Sequence, residues 1–151
     1  MKHEPAYKLS ERFAPPKTDL RKARILDDYG DDTCATLEIS HKRPEDPSIE
    51  EFNFYGWVYP FMDPEDLLFY LYSVSLVADD VHTIDDGPDW LQSYLFSFDR
   101  SLTEIMRLAG EDIDLLRAEL KQLSRILMAY EEDQSSVPGI MKFIESPVEG
   151  D

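Results

Sequence analysis

The chain has 151 residues, of which 42% are hydrophobic and 12% aromatic, with a formal net charge of −17. This length suits one domain with a substantial core, and the apolar content excludes a disordered acidic tail. The single cysteine, Cys34, excludes an internal disulfide framework and favours a reducing compartment. Because no secretory signal and no apolar run of bilayer length is visible, we expect a soluble cytoplasmic protein.

The acidic residues are unevenly placed along the chain. There are 32 Asp and Glu against 15 Lys and Arg. Residues 1–25 hold seven bases and three acids, a net charge of +4, so the other 126 residues hold 8 bases and 29 acids, a net charge of −21. A body of this charge repels nucleic acid and anionic lipid and attracts positively charged surfaces at increased association rates. The charge therefore argues against direct nucleic-acid or membrane binding and favours a basic protein partner.

Residues 1–18 are predicted to form a basic N-terminal arm, followed by a single α+β domain at residues 19–147. Any long helix in the arm is interrupted by three prolines, Pro5, Pro15 and Pro16. Two roles for the arm are open. In the first, the arm folds back onto the acidic body and neutralises part of its charge. In the second, the arm has a binding role of its own.

The next segments predict a short helix and then a small antiparallel sheet. Apolar residues at helical spacing indicate a helix within residues 19–28. Residues 33–41 alternate between apolar and polar side chains, which predicts a half-buried strand. Residues 52–59 are rich in aromatic residues and are predicted to form a second strand, with Gly56 at a bulge or bend. We therefore expect an antiparallel sheet over residues 33–59.

Helical patterns dominate the rest of the chain. A helix at residues 64–78 is apolar on nearly all sides and is predicted to be central. A second helix at 88–109 should end at Gly110. A third at 111–131 carries apolar residues three and four apart, a seam that suits packing against a neighbouring helix or against another chain. The predicted fold class is α+β, with the sheet packed against these three helices and residues 137–147 forming a short strand or a strap.

An acidic cluster lies between the first two long helices, at Asp79, Asp80, His82, Asp85 and Asp86. Carboxylates can hold Mg²⁺ or Ca²⁺, but the spacing does not match an EF-hand, and the second acidic motif of a di-metal phosphohydrolase is missing. We interpret the cluster as a solvated loop that supplies helix caps, with a partner-binding patch and a metal site as alternatives. No catalytic residue, metal site or cofactor is predicted, because no phosphate loop, nucleophile elbow or Cys/His ligand set is present.

The aromatic segment at residues 52–59 offers a second candidate for binding. Most of its side chains should belong to the core, but any of Tyr55, Trp57 or Tyr59 that faces solvent can anchor an interface. Acidic residues just before the segment would form a rim around such an anchor. The predicted partner-binding residues are therefore the three aromatics together with Glu45, Asp46, Glu50, Glu51, Asp79, Asp80, Asp85 and Asp86.

These observations predict a small acidic binding protein that neutralises or regulates a basic protein. An immunity protein or antitoxin that inhibits a nuclease toxin fits this description, as does a protein that mimics the charge of DNA, because nucleases grip phosphate backbones with Lys- and Arg-lined clefts. Two alternatives are an accessory or scaffold subunit without inhibitory role, and a hydrolase whose metal is held by Asp79, Asp80, Asp85 and Asp86. The prediction depends on carboxylates that are concentrated on one part of the surface.

Overall fold

Helices make up all the regular structure that is described. The computed structural model describes residues 2–81, 89–130 and 137–145, and within these ranges it contains eight α-helices, two 3₁₀ turns and no strand. The 3₁₀ turns are Tyr59–Phe61 and Gly110–Asp112. The α-helices are α1 (Glu4–Ser10), α2 (Leu20–Asp27), α3 (Ile49–Phe54), α4 (Pro64–Val81), α5 (Asp89–Arg100), α6 (Leu102–Ala109), α7 (Ile113–Tyr130) and α8 (Pro138–Glu145). In these ranges, no helix combines the length and the apolar character needed to cross a membrane.

The predicted antiparallel sheet at residues 33–59 is wrong, and the α+β class is wrong with it. The alternation at residues 33–41 does describe burial, because Ala35 is buried and Leu37 and Ile39 are half-buried between exposed neighbours. No strand lies beside this segment among the residues that the structure describes. Instead, the Tyr55 hydroxyl donates to the Leu37 carbonyl at 2.7 Å and accepts from the Leu37 amide at 3.1 Å. The period of two therefore reflects an irregular segment that packs one side on the core and forms no ladder of paired backbones.

The predicted second strand, at residues 52–59, is replaced by α3 and the loop after it. Ser48 Oγ accepts a hydrogen bond from the Glu51 amide, and the Glu51 carboxylate accepts one from the Ser48 amide at 2.8 Å. This capping box satisfies two amides at the start of α3. The local helix signal thus outweighs the β-propensity of the aromatic residues, a propensity that depends on packing partners.

Gly56 permits a close approach, where a bulge or bend was predicted. A Cβ atom at this position would lie 3.1 Å from the Phe52 carbonyl oxygen and 3.1 Å from Trp90 Cβ. The Phe52 and Trp90 rings stack with centroids 5.0 Å apart. Glycine is therefore required here because α5 begins directly against the turn that ends α3.

The central helix predicted at residues 64–78 is confirmed as α4. Its side chains from Leu67 to Leu71 are at most 1% exposed, and the helix contacts α1, α5, α6 and α7. Ser10 Oγ, from α1, donates to the Leu68 carbonyl at 2.7 Å and accepts from the Tyr72 amide at 3.0 Å. The Leu68 carbonyl and the Tyr72 amide are four residues apart, the spacing of a backbone hydrogen bond in an α-helix. The Ser10 hydroxyl therefore bridges one such carbonyl–amide pair of α4.

The other helix predictions hold with changes at their boundaries. The helix predicted at residues 19–28 is α2, and Gly110, with a φ of 56°, ends α6 as expected. The helix predicted at 88–109 is two helices, α5 and α6, which meet at Ser101. The short strand or strap predicted at 137–147 is the helix α8 over its described residues.

The apolar seam of the third predicted helix packs inside the chain. Leu116, Leu120 and Leu123 on α7 are at most 1% exposed, and α7 contacts α1, α4 and α8. The alternative that this seam pairs with another chain is therefore wrong, because the chain's own core already covers it.

The predicted basic arm contains a helix that belongs to the core. Ala6 and Leu9 on α1 are fully buried, and α1 packs against α4 and α7. Pro5 lies in the first turn of α1, where the amide that proline lacks has no intrahelical partner in any case. The arm therefore folds back onto the body through apolar contacts as well as through charge.

Candidate functional site

Three large aromatic side chains that lie close together in sequence are exposed. Phe54 at the end of α3, Trp57 in the following loop and Phe61 in the first 3₁₀ turn are 46%, 60% and 40% exposed. We call these three residues the aromatic patch. Aromatic side chains dominate the energetics of interfaces because each one buries a large area at a low cost in conformational entropy.

The residues between the exposed aromatics hold the patch in place. Tyr55, Val58 and Tyr59 are at most 1% exposed. The Tyr55 hydroxyl is bonded to the backbone of Leu37, and the Tyr59 ring packs edge-on against Tyr94 of α5 with centroids 5.3 Å apart. Because alternate side chains of the segment are fixed in the core, the aromatic patch is displayed from a preorganised backbone, which reduces the entropy lost on binding.

In sequence, the aromatic patch lies within a stretch that is rich in carboxylates and has no Lys or Arg. Residues 44–99 hold 13 Asp and Glu and no Lys or Arg. Within the described ranges, five exposed carboxylates close to the patch in sequence form no ion pair with a Lys, Arg or His side chain: Glu45, Asp46, Glu50, Asp63 and Glu65. We call these five residues the acidic rim. Uncompensated carboxylates beside an apolar surface create a negative potential that favours a positively charged partner.

The predicted anchors and rim residues are only partly at the surface. Of the three aromatics, Trp57 is exposed, whereas Tyr55 and Tyr59 are buried and belong to the core. Glu45, Asp46 and Glu50 are exposed, but Asp46 also accepts hydrogen bonds from the Lys42 and Arg43 amides at 2.9 Å. Their contacts therefore leave Trp57, Glu45 and Glu50 as the predicted residues that are freest to meet a partner.

Glu51, another predicted rim residue, takes part in the fold. Its carboxylate lies 2.8 Å from His41 Nε2, and the Tyr70 hydroxyl lies 2.8 Å from His41 Nδ1. Burial raises the pKa of Tyr70 well above its ordinary value, so the phenol keeps its proton as a donor. The two ring nitrogens of His41 are thus held by Tyr70 of α4 and Glu51 of α3. Glu51 therefore ties α3 to α4 and is not part of the acidic rim.

Two exposed aromatics of the patch, Phe54 and Phe61, were not predicted. A signal for Phe54 was present, because the Ser48–Glu51 capping box starts a helix. Residues two apart on a helix differ in direction by about 200°. Once Phe52 is buried in such a helix, Phe54 must face away from the core. For Phe61 the sequence offers no comparable signal.

Asp79 and Asp80 lie far from the aromatic patch. They follow the start of α4 by fifteen and sixteen residues, which corresponds to about 22–24 Å along the helix axis. The patch belongs to the segment that leads into the start of the same helix. Asp80 is exposed, whereas Asp79 is half-buried. The other members of this predicted cluster, His82, Asp85 and Asp86, lie outside the described residues.

Asp79 is held by a buried histidine from the N-terminal arm. His3 Nε2 bonds to Asp79 and His3 Nδ1 bonds to Glu119 of α7. The side chains of His3 and Glu119 are only 5% and 3% exposed. Burial acts to lower the pKa of His3, but the hydrogen bond to Asp79 and the charge of Glu119 outweigh it, so the pKa is raised. The charged imidazole therefore joins α1, α4 and α7.

The described residues do not assemble a metal centre. No group of three or more His, Cys, Asp or Glu side chains in residues 2–81, 89–130 and 137–145 is arranged to hold a metal ion. Of the four carboxylates considered as ligands, Asp79 is bonded to His3 and Asp80 is exposed. Asp85 and Asp86 lie outside the described residues, so the metal-site alternative stays a prediction.

The best-formed candidate site is therefore a surface for binding. The aromatic patch supplies apolar area on a fixed backbone, and the acidic rim supplies exposed carboxylates that form no ion pair within the described ranges. Neither group includes a nucleophile activated by a neighbouring base, as covalent catalysis requires. No protein-family model, curated protein or solved structure matches this chain.

Proposed function

We propose that the chain is a binding protein that neutralises or regulates a basic protein. The aromatic patch anchors the partner, and the acidic rim sets its approach and orientation. One observation carries the proposal: Phe54, Trp57 and Phe61 are exposed within a stretch of 56 residues that has 13 acids and no Lys or Arg.

The two parts of the surface contribute in different ways. Each patch side chain is 40–60% exposed, so a partner can cover about half of the ~150–250 Å² that a large aromatic side chain buries in full. Such anchors give most of the affinity at interface hot spots. A specific interface covers about 800 Å² on each partner, so the patch forms its centre and the acidic rim forms much of the remainder. Charges at a rim act mainly on the association rate, which falls as salt screens them.

A nuclease toxin is the partner class that suits this surface best. A nuclease must present Lys and Arg side chains to hold a phosphate backbone. A protein with an acidic rim can occupy that cleft, and aromatic anchors can hold it there against competing nucleic acid. The proposed role is therefore that of an immunity protein or antitoxin, or of a DNA-charge mimic directed at another nucleic-acid-binding protein.

The proposal is tested by capturing partners with matched variants. The immobilised wild-type chain, Trp57→Ala/Phe61→Ala and Glu45→Gln/Glu50→Gln/Glu65→Gln are compared on extracts of the native cell. Met128→Ala removes an exposed hydrophobic side chain on α7, and a second triple variant removes three exposed carboxylates outside residues 44–99: Glu11→Gln, Glu111→Gln and Glu145→Gln. Circular dichroism establishes that each variant is folded.

We expect the wild type and both controls to retain a basic protein that the two site variants lose. The association rate of that protein should fall steeply between low and physiological salt. If it is a nuclease, one equivalent of the chain should abolish its activity. Retention of the same proteins by all variants, or capture only of acidic proteins, would overturn the proposal. A basic partner whose activity is unchanged by binding would instead indicate an accessory subunit.

A further inference from the structure

A small cavity lies beneath the segment that carries the aromatic patch. Its volume is about 200 Å³, and its walls come from residues 59, 60 and 62, the first turn of α4 and the end of α5 with its junction to α6. The residues that matter for its chemistry are Tyr59, Met62, Leu67, Ser97, Arg100 and Ser101. Ligand pockets for larger molecules have volumes of about 300–1,000 Å³, so this cavity suits a small ligand.

Two residues of the cavity wall carry a buried hydroxyl that has no hydrogen-bond partner in the described structure. These are the Tyr59 hydroxyl and Ser97 Oγ, both buried. Burial raises the pKa of Tyr59 well above its ordinary value, so its phenol keeps the proton that it can donate. Buried hydroxyls are nearly always paired because an unpaired one leaves its desolvation uncompensated. Of the four buried hydroxyls in the described residues that have no partner, two belong to residues of this one cavity, where a bound molecule can supply the missing hydrogen bonds.

Further donors stand at the mouth of the same cavity. Arg100 is exposed and forms no ion pair with a carboxylate of the described residues. Its guanidinium lies over the Phe96 ring, 5.8 Å from the centroid, which favours a fixed orientation. Ser101 precedes α6, and its hydroxyl makes no capping hydrogen bond there. Arg100 only donates, and its planar fork matches the oxygens of a carboxylate or phosphate.

Carboxylates dominate the charge of the protein, but the described lining of this cavity holds none. The chain has 32 Asp and Glu against 15 Lys and Arg, yet none of the described residues that line the cavity is acidic. A cation site would need carboxylate or carbonyl ligands, whereas this lining combines one guanidinium with three hydroxyls. The chemistry therefore favours an anion, in a protein whose overall charge repels anions.

We propose that this cavity binds a small molecule that carries a carboxylate or phosphate group. Arg100 holds the oxyanion at the mouth, and the hydroxyls of Ser97, Ser101 and Tyr59 provide additional hydrogen bonds. The side chains of Met62 and Leu67 restrict the rest of the ligand to a short aliphatic portion. The cavity adjoins the aromatic patch but shares none of its three residues, and its test does not depend on the proposed partner.

Calorimetric titration and backbone-amide NMR shifts test the site with four anions: inorganic phosphate, methyl phosphate, acetate and butyrate. Butyramide serves as the uncharged counterpart of butyrate. We expect one-to-one saturable binding of at least one anion, weakened by about tenfold or more in Arg100→Gln and also weakened in Ser97→Ala. The matched control is Arg107→Gln, which removes an exposed Arg of the next helix that is paired with Glu104 and does not line the cavity. Its binding should equal that of the wild type.

The phosphates and carboxylates together identify which oxyanion the cavity prefers. The proposal is overturned if none of the four anions saturates the wild type in the millimolar range. It is also overturned if Arg100→Gln binds as tightly as the wild type while remaining folded, or if butyramide binds as tightly as butyrate. A cavity that holds only water gives the first of these results.

Discussion

The N-terminal arm and the segment that carries the aromatic patch place their polar side chains in different ways. In the arm, His3, Ser10 and Arg12 all reach back to the body of the protein. Arg12 donates to the carbonyls of Leu108 and Ala109 at the end of α6 and pairs with Asp112 at 2.7 Å. In residues 45–65, by contrast, the acidic rim faces solvent and forms no ion pair within the described ranges.

The difference divides the acidic surplus into two groups. Some carboxylates hold the fold together: Asp79 and Glu119 bind His3, and Asp66 accepts from the amides of Lys17 and Thr18. Others, the acidic rim among them, are exposed and form no ion pair with a Lys, Arg or His side chain of the described residues. Net charge alone does not distinguish the two groups. Changes in the arm should therefore act on stability, and changes in the patch should act on binding.

The largest expected effect is that of His3→Ala. It leaves the carboxylate of Glu119, only 3% exposed, without its cation. Removal of one partner from a buried ion pair costs about 3–5 kcal/mol, so the free energy of unfolding in urea should fall by that amount. Adding Glu119→Gln to His3→Ala should recover part of the loss. A loss below about 1 kcal/mol would show that the arm does not depend on this contact.

Leu9→Ala tests the apolar side of the same arm. Leu9 is fully buried where α1 packs against α4 and α7. Truncating such a leucine costs about 2–5 kcal/mol, from lost burial and the cavity left behind. Phe54→Ala, which removes an exposed side chain of the patch, is the comparison and should cost far less. Equal losses in urea denaturation would contradict the division between arm and patch.

Gly56→Ala tests the scaffold beneath the aromatic patch. The added methyl group would lie 3.1 Å from both the Phe52 carbonyl oxygen and Trp90 Cβ. Overpacking of this kind costs about 1–3 kcal/mol, and the stacked Phe52 and Trp90 rings should separate. Thermal unfolding and near-ultraviolet circular dichroism measure the two effects. Asn53→Ala, an exposed change nearby, should alter neither, and an unperturbed aromatic spectrum in Gly56→Ala would argue against the close approach.

The pH dependence of stability should reveal the charged state of His3. Its pKa is raised above 6.5 in the folded protein, so the folded state holds its proton more tightly than the unfolded state. The stabilisation is complete below the unfolded value and is lost as the pH rises through the folded pKa, at up to about 1.4 kcal/mol per pH unit. Urea titrations above pH 6.5 should show this decline in the wild type. If His3→Ala shows the same decline, another group is responsible.

The smallest expected effect on stability is that of Trp57→Ala. The Trp57 side chain is 60% exposed, and an exposed substitution usually changes the free energy of unfolding by less than about 0.5 kcal/mol. Loss of a hot-spot tryptophan should nevertheless weaken partner binding by more than about tenfold. Parallel urea denaturation and binding measurements check both statements. A marked loss of stability would instead show that Trp57 stabilises the fold, as the residues of the arm do.

Local signals in the sequence determined most of the helices. Asp63 and Pro64 marked the start of α4, its apolar composition marked it as central, and Gly110 marked the end of α6. These features act through capping, φ preference and burial, which depend on residues a few positions apart. The capping box at Ser48 and Glu51 was equally local, and it could have identified α3 and the outward direction of Phe54.

Tertiary structure decided which side chains face solvent and which residues distant in sequence contact each other. The alternation at residues 33–41 looks like a strand, but a strand needs a neighbour, and α3 occupies the place of that neighbour in the chain. Tyr55 and Tyr59 are buried while Trp57 between them is exposed, because α5 packs on one side of the segment. His3 binds the carboxylate of Glu119, 116 residues away in sequence, and no local pattern predicts that contact. Composition determined how acidic the protein is, whereas only long-range packing determined which of the described carboxylates are paired internally and which are exposed without an ion pair.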